Sequence, residues 1–348
     1  MGISLRNGRA FAPHDNTHSV RVAIVDQAFA ETVYPDCDPD LFQDVKLDNV
    51  MLDTGFREGR DTKGIQAFAG WISPTRSRGI LRVETIQNEL LRQDISFEDL
   101  RGTFLQRVRD GLDGTSNFGL RSYGMKSYLL PRIGLIKPVY DEKVAAASWT
   151  DYKKQRTDLT GDRDDRAQRG KDLLQYLLTC ALEECLLRDM PMQFHAGDGE
   201  APGIVLRRQH PYSLEEVVRF DKNGVMRMPK IIPIHAGYPL VGEAAWLSHL
   251  YSNCYFEISI MNPFVHQGLA DRLRQVMEAV SLTKILNGSD AFHLPELFWL
   301  AGRWGKRFLS EALGVYVEQG ILSEPEALEA ARRILYQNNR EVYRLEAA

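Results

Sequence analysis

Basic clusters are missing from this chain. Its 43 lysines and arginines are scattered among 47 acidic residues, and the net charge is −4. A nucleic-acid partner therefore has no electrostatic support. No run of about eighteen apolar residues is present that could span a membrane. The N-terminal stretch MGISLRNGRAFAPHDNTHS lacks the apolar centre of a signal peptide. Cysteine is scarce as well: Cys37, Cys180, Cys185 and Cys254 contain no C-x-x-C pair and read as buried free thiols, as suits a reducing cytoplasm. No short-period repeat and no low-complexity tract occurs. These absences leave a cytoplasmic globular protein whose partner is a small molecule, with no nucleic acid and no membrane; a homo-oligomer is compatible with such a chain.

What is there suffices for a large core. The chain has 348 residues, 44% hydrophobic and 26% charged, and one elaborated domain over residues 1–348 accommodates them. Residues 1–18 read as an irregular leader to the fold, and SVRVAIVD (19–26) as a strand ending in an acid. Residues 27–75 hold acidic turn clusters such as YPDCDPD without a sustained period, which suggests a loop-rich insertion. SRGILRVE (77–84) is the next strand, followed by helical spacing through ETIQNELLRQ and again from Ser96 to Gly119. RSYGMKSYLL (121–130) is a third strand. Residues 150–170 are dense in charge and read as a solvated loop. LLQYLLTCALEECLLR is a largely buried helix that runs into the strand PMQFHAG. Helical stretches near 212–220 and 242–252 flank IIPIHAG. YFEISI, a helix over 263–281, KILNGSD and a helical region from Pro295 to Glu341 complete the chain. Strand and helix alternate, which predicts a parallel α/β architecture.

Three strands in succession end in a polar, metal-competent residue: His195 in PMQFHAGDGE, His235 in KIIPIHAGYP and Asp290 in KILNGSDAF. Successive strands of a TIM-type (β/α)8 barrel deliver their chemistry to its C-terminal mouth in this way. Two imidazoles and a carboxylate meeting there could hold a divalent metal and activate water. Each residue alone also has a structural reading: a strand-end histidine satisfied by one hydrogen bond, or an aspartate capping the helix that Pro295 announces. The repeated strand-His-Ala-Gly context argues against coincidence for the histidines. Asp290 as general base is the corresponding functional reading.

Four further residues are substrate-binding candidates. Lys126, at the end of an interior strand, is costly unless paired or modified; it could anchor a substrate carboxylate, ligate metal if carbamylated, or simply snorkel. Arg82 and Glu84, two residues apart in ILRVE, would share one strand face, as an internal ion pair or to orient substrate. His293 follows Asp290 on the same loop. Arg132 is a weaker candidate for the role of Lys126. His210, His249 and His266 have no partner spacing and read as structural or surface residues.

GILRVE, YGMKSYLLPRIGL, MQFHAGDGE, IIPIHAGYP, YFEIS, ILNGSDAFHLPE and the closing ILYQNNREVYRL together resemble the amidohydrolase superfamily of metal-dependent (β/α)8-barrel hydrolases. The likeness is greatest to the branch that includes domains fused to glutamine-synthetase-like proteins. It covers roughly residues 77–345 and implies His195 and His235 as metal ligands after the fifth and sixth strands, with Asp290 as the acid after the eighth. Lys126 falls where the family often has a lysine after the fourth strand. The implied cofactor is a divalent metal, zinc first and manganese second. The implied function is hydrolysis of a small polar, carboxylate-bearing substrate, although the same superfamily includes decarboxylases and isomerases.

One family feature is missing. The first strand of these barrels ordinarily ends in His-x-His, whose spacing turns both imidazoles to one side, and no His-x-His occurs in this chain. His14 and His18, in PHDNTH, sit in loop-like sequence. If SVRVAIVD corresponds to the family's second strand, the barrel is incomplete or altered at its first strand, or takes one from 27–75 or a neighbouring subunit. A truncated or catalytically silent barrel serving binding or assembly is the rival expectation.

Overall fold

The computed structural model describes residues 40–47, 49–53, 77–114, 120–158, 160, 168–197, 205–219, 228–265, 267–291 and 295–345. The strand expected at 19–26, the segment 1–18, and His14, His18, His266 and His293 lie outside the described residues.

Seven parallel strands follow one another in sequence order among the described residues: β1 (Val50–Asp53), β2 (Ser77–Arg82), β3 (Ser122–Ser127), β4 (Met192–His195), β5 (Ile231–Ile234), β6 (Phe256–Glu257) and β7 (Ile285–Leu286). β1 to β5 form one sheet and β6 with β7 a second. A parallel bridge from Ile231 to Cys254 carries the pairing across from β5 towards β6. Strand order equal to chain order, with helices on the crossovers from β2 through to β7, is the arrangement of a (β/α) barrel. Between β7 and β1 no pairing is present among the described residues, so the barrel they outline is open on that side.

Three sequence expectations change here. The stretch read as a loop-rich insertion, 27–75, contains a short helix, α1 (Asp40–Asp44), and the strand β1, which pairs in parallel with β2. Four residues, VMLD, are too short to show a period. The expectation that Arg82 and Glu84 share a strand face is also corrected. β2 ends at Arg82, and Glu84 lies in the first turn of the next helix, α2 (Val83–Leu90). Residues 150–155, read as loop, continue a helix that begins at Glu142.

Helices cover the outside of the sheet because their apolar residues recur at helical spacing. The helix Phe97–Leu112 buries Phe97, Leu100, Phe104, Val108 and Leu112, and the Ser96 hydroxyl caps it by accepting from the Asp99 N–H at 3.0 Å. The helix Lys171–Leu187 is buried on nearly every side from Leu173 to Cys185. Its one deeply buried acid, Glu184, is clasped by Arg109 at 2.8 Å and by Arg188.

Inside the sheet, Ile80, Ile232, Ile234 and Leu286 pack against Val342, Tyr343 and Leu345 from the end of the chain. The Tyr343 hydroxyl accepts from Gln193 at 2.6 Å, and the Val342 carbonyl accepts from Lys230, which precedes β5. The C-terminal segment thus plugs the end of the barrel where the strands begin. Chemistry is left to the other end, where they finish. No helix among the described residues is long and apolar enough to cross a membrane.

Candidate functional site

His195 and His235 are brought together by the turns that follow them. β4 ends in His195, His235 follows directly on β5, and each histidine is followed by Ala-Gly. Gly197 adopts φ +74°, and His235, Ala236 and Gly237 adopt φ +70°, +55° and +60°, a left-handed region that costs a residue with a Cβ about 1–2 kcal/mol. The two turns meet glycine to glycine. A Cβ on Gly197 would overlap the Gly237 carbonyl carbon and lie 2.7 Å from its Cα, so only glycine permits this approach. The consequence is a direct contact between the imidazoles: His195 Nδ1 lies 3.0 Å from His235 Nε2. His235 is fully buried and His195 nearly so. Burial, with the neighbouring His195, Lys126 and Arg82, holds His235 well below the usual imidazole range, so it is neutral and has a lone pair to offer.

Asp290 stands on the far side of His235, with Oδ2 3.5 Å from Nδ1. It too is left-handed, at φ +49°, and its side chain is 24% exposed, open to a molecule entering the mouth. Glu257 and Ser259 complete this edge. Ser259 Oγ lies 3.1 Å from His235 Nδ1 and donates to Glu257 Oε2 at 2.6 Å. The Glu257 carboxylate also accepts the backbone N–H of His235 at 3.1 Å and that of Ser259 at 2.8 Å. Burial pushes the Glu257 carboxyl up to about 7 against those hydrogen bonds.

A second cluster lies across the mouth, on β1 to β3. The Arg82 guanidinium grips Asp53 as a fork, with Nε donating to Oδ1 at 3.0 Å and Nη2 to Oδ2. Lys126 Nζ reaches the same carboxylate at 3.1 Å. Glu84 lies beneath, fully buried. It accepts from Ser127 Oγ at 2.7 Å on one oxygen, while the other has no hydrogen-bond partner among the described residues. Burial raises its pKa, opposed by that bond and by Arg82. Tyr128 links the two clusters, its ring 4.5 Å from that of His195 and 5.9 Å from the Arg82 guanidinium. Arg132 lies behind, its guanidinium pushed down by burial although Tyr152 and Glu84 favour its charge.

Of the residues singled out from sequence, the structure gathers His195, His235 and Asp290 in one place and Arg82, Lys126 and Glu84 in another, at the same end of the barrel. His210 and His249 lie elsewhere. His210 Nδ1 accepts from the Tyr212 N–H at 3.2 Å, and His249 Nδ1 donates to the Ala279 carbonyl at 2.7 Å. Sequence reasoning missed Asp53, Glu257 and Ser259. Asp53 carried the usable signal, an acid ending a short apolar run, but four residues in an aperiodic stretch did not reveal a strand.

The donor set can be tested for a metal. Two imidazole nitrogens bound tetrahedrally to one zinc, each about 2.0–2.1 Å from it, lie roughly 3.3 Å apart. The His195–His235 separation of 3.0 Å suits such a pair. Two bare lone pairs cannot face each other at this distance, so a proton or a cation belongs between them. Asp290 does not complete the set as it stands, because it approaches the opposite nitrogen of His235. Among the described residues no group of three His, Cys, Asp or Glu side chains is arranged around one point to hold a metal.

Comparison with known proteins places these observations in context. The family model described as Amidohydrolase matches residues 159–345. Protein fluG of Emericella nidulans is 30% identical over 158 residues, which are 44% of this chain and 17% of that protein; the chain thus spans under a fifth of the length of this curated relative. Among solved structures, a Lactobacillus casei protein classed by name with the metal-dependent hydrolases superposes with a TM-score of 0.71 at 23% identity, covering 88% of this chain and 75% of the other. Glucuronate isomerase of Caulobacter crescentus gives 0.62 at 16% identity, covering 92% and 69%. Uronate isomerase of Thermotoga maritima gives 0.57 at 13%, covering 90% and 71%. At these identities the structures establish the shared barrel fold.

Proposed function

Because this chain belongs to the amidohydrolase family, whose model matches just over half of it, we propose that it is a metal-dependent hydrolase of a small polar, carboxylate-bearing substrate. The observation that carries the reading is the facing pair of His195 Nδ1 and His235 Nε2, 3.0 Å apart and buried, with Asp290 beside them. His195 and His235 would hold a divalent ion, zinc by preference and manganese as the alternative. Such an ion supplies a bound water whose pKa falls towards about 7.

The chain's own residues divide the remaining work. Asp290, acidic and open to the mouth, takes the proton of the attacking water and returns it to the leaving group. Arg82 and Lys126 bring two positive charges against the single carboxylate of Asp53, and burial pushes Glu84 towards its neutral form. The cluster therefore keeps an excess positive charge, which suits a substrate carboxylate. Lys126 keeps its ammonium in this reading, since a carbamate would set an anion against Asp53. Tyr128 lies between the two clusters and would flank a substrate spanning them.

Metal analysis of protein expressed with zinc or manganese tests the proposal, together with a panel of small amides, lactones and carboxylated aromatics. Uronates are added because their isomerases share the fold. Near-stoichiometric metal and metal-dependent hydrolysis are expected. No bound metal after supplemented expression, and no turnover, would reassign the chain as a catalytically silent barrel serving binding or assembly. Metal-dependent turnover of uronates alone would make it an isomerase.

A further inference from the structure

Glu257 and Ser259 have no part in the chemistry above, yet they are built around His235 with unusual care. Ser259 Oγ lies 3.1 Å from His235 Nδ1 and donates its own proton to Glu257 Oε2 at 2.6 Å. A hydroxyl has one proton. Once that proton is given to the carboxylate, the hydroxyl oxygen has only lone pairs to turn towards the imidazole. The Glu257 carboxylate is held as an acceptor by two backbone N–H groups, that of His235 at 3.1 Å and that of Ser259 at 2.8 Å. Asp290, the other group near Nδ1, is also an acceptor, at 3.5 Å. Every oxygen facing Nδ1 among the described residues therefore asks for a proton there.

We propose that Glu257, acting through Ser259, fixes His235 in the tautomer protonated at Nδ1 and so leaves Nε2 bare towards His195. Both are positioning residues, and the chain of bonds runs from His235 Nδ1–H to Ser259 Oγ and from Ser259 O–H to Glu257. A neutral imidazole has one donor and one acceptor nitrogen, and the partner of one decides the role of the other. In metal proteins an outer partner of this kind typically governs affinity by about 10–100-fold. The fold makes room for it at a definite cost in sequence freedom. Gly288, in the turn before Asp290, lies so close that a Cβ there would overlap Glu257 Oε1 and come 3.1 Å from Ser259 Cβ.

The value of this arrangement to the protein rests on the reading of His235 as a ligand, but the tautomer itself does not. Ring-nitrogen NMR of the ¹⁵N-histidine-labelled full chain in mildly alkaline buffer, before metal is added, reads it directly, with His235→Gln identifying the signals. The wild type should show a protonated Nδ1 and a bare Nε2 at His235. Ser259→Ala, which keeps both backbone donors to Glu257, should shift population towards the Nε2-protonated form, and Ser259→Thr should restore the wild-type pattern. Zinc titration should show Ser259→Ala weakened by about 10–100-fold and Ser259→Thr close to wild type. A wild type protonated at Nε2, or a Ser259→Ala spectrum unchanged at His235, would overturn the proposal; the wild-type spectrum decides even if the alanine variant fails to fold. The predicted tautomer in a protein that binds no zinc would sink the hydrolase reading and leave this inference standing.

Discussion

Replacing Asp53 by asparagine isolates the ion cluster at the mouth. The carboxylate is shared: the Arg82 fork and Lys126 Nζ at 3.1 Å both depend on it, and the side chains are 9% exposed for each cation and 17% for Asp53. Asparagine keeps the shape and one acceptor oxygen but removes the charge that two buried cations require. Breaking a buried pair by removing one partner costs about 3–5 kcal/mol, and the retained acceptor puts Asp53→Asn near the lower end. Lys126→Met should cost less, about 1.5–3 kcal/mol for a lost charged hydrogen bond, because Asp53 still has Arg82. The double variant should lose less than the sum, with a coupling of about 1 kcal/mol or more, since asparagine is penalised less once one cation is gone. Urea unfolding followed by the fluorescence of the five tryptophans measures all three. Added salt should leave the differences nearly intact, because buried pairs are weakly screened. An Asp53→Asn variant within about 0.5 kcal/mol of wild type, the usual span of surface changes, or a strictly additive double variant, would refute the account.

Gly197→Ala should cost about 1–2 kcal/mol for its left-handed backbone, plus about 1–3 kcal/mol for the overlap with Gly237; parted imidazoles should weaken zinc binding in the same protein, as isothermal titration would show. Asp290→Asn should keep the fold and most of the metal while turnover against a substrate found in the panel falls about 10²–10⁴-fold, whereas His235→Ala should lose metal and activity together. Full activity in Asp290→Asn would leave that residue as a structural turn. Glu84, held above the ordinary carboxylate range by burial, binds more protons folded than unfolded between the ordinary value and its raised one, so its contribution to stability is present at low pH and lost as pH rises through the raised pKa. Unfolding free energies of wild type and Glu84→Gln across acidic to neutral pH should therefore converge at low pH and diverge in favour of the variant as pH rises; a parallel pair of curves would contradict this.

The sequence by itself determined the order of β2 to β7 and the place of His195, His235 and Asp290 beyond their strands. Both follow from local patterns: short, mostly apolar runs, helical spacing between them, and a His or Asp at or just after the strand end. The twin strand-His-Ala-Gly segments were legible for the same reason, because a left-handed turn after a buried strand needs small residues wherever the chain lies. Only the tertiary structure decided what those residues meet. That Gly197 and Gly237 pack on each other, that Asp53 serves Arg82 and Lys126 together, and that Ser259 stands between Glu257 and His235 are facts of approach between segments 22 to 73 residues apart in the chain. Glu84 shows the limit most plainly. A two-residue spacing places side chains on one face only while the strand continues, and here the backbone turns to helix after Arg82, one residue ahead of the helical spacing that begins at Glu84.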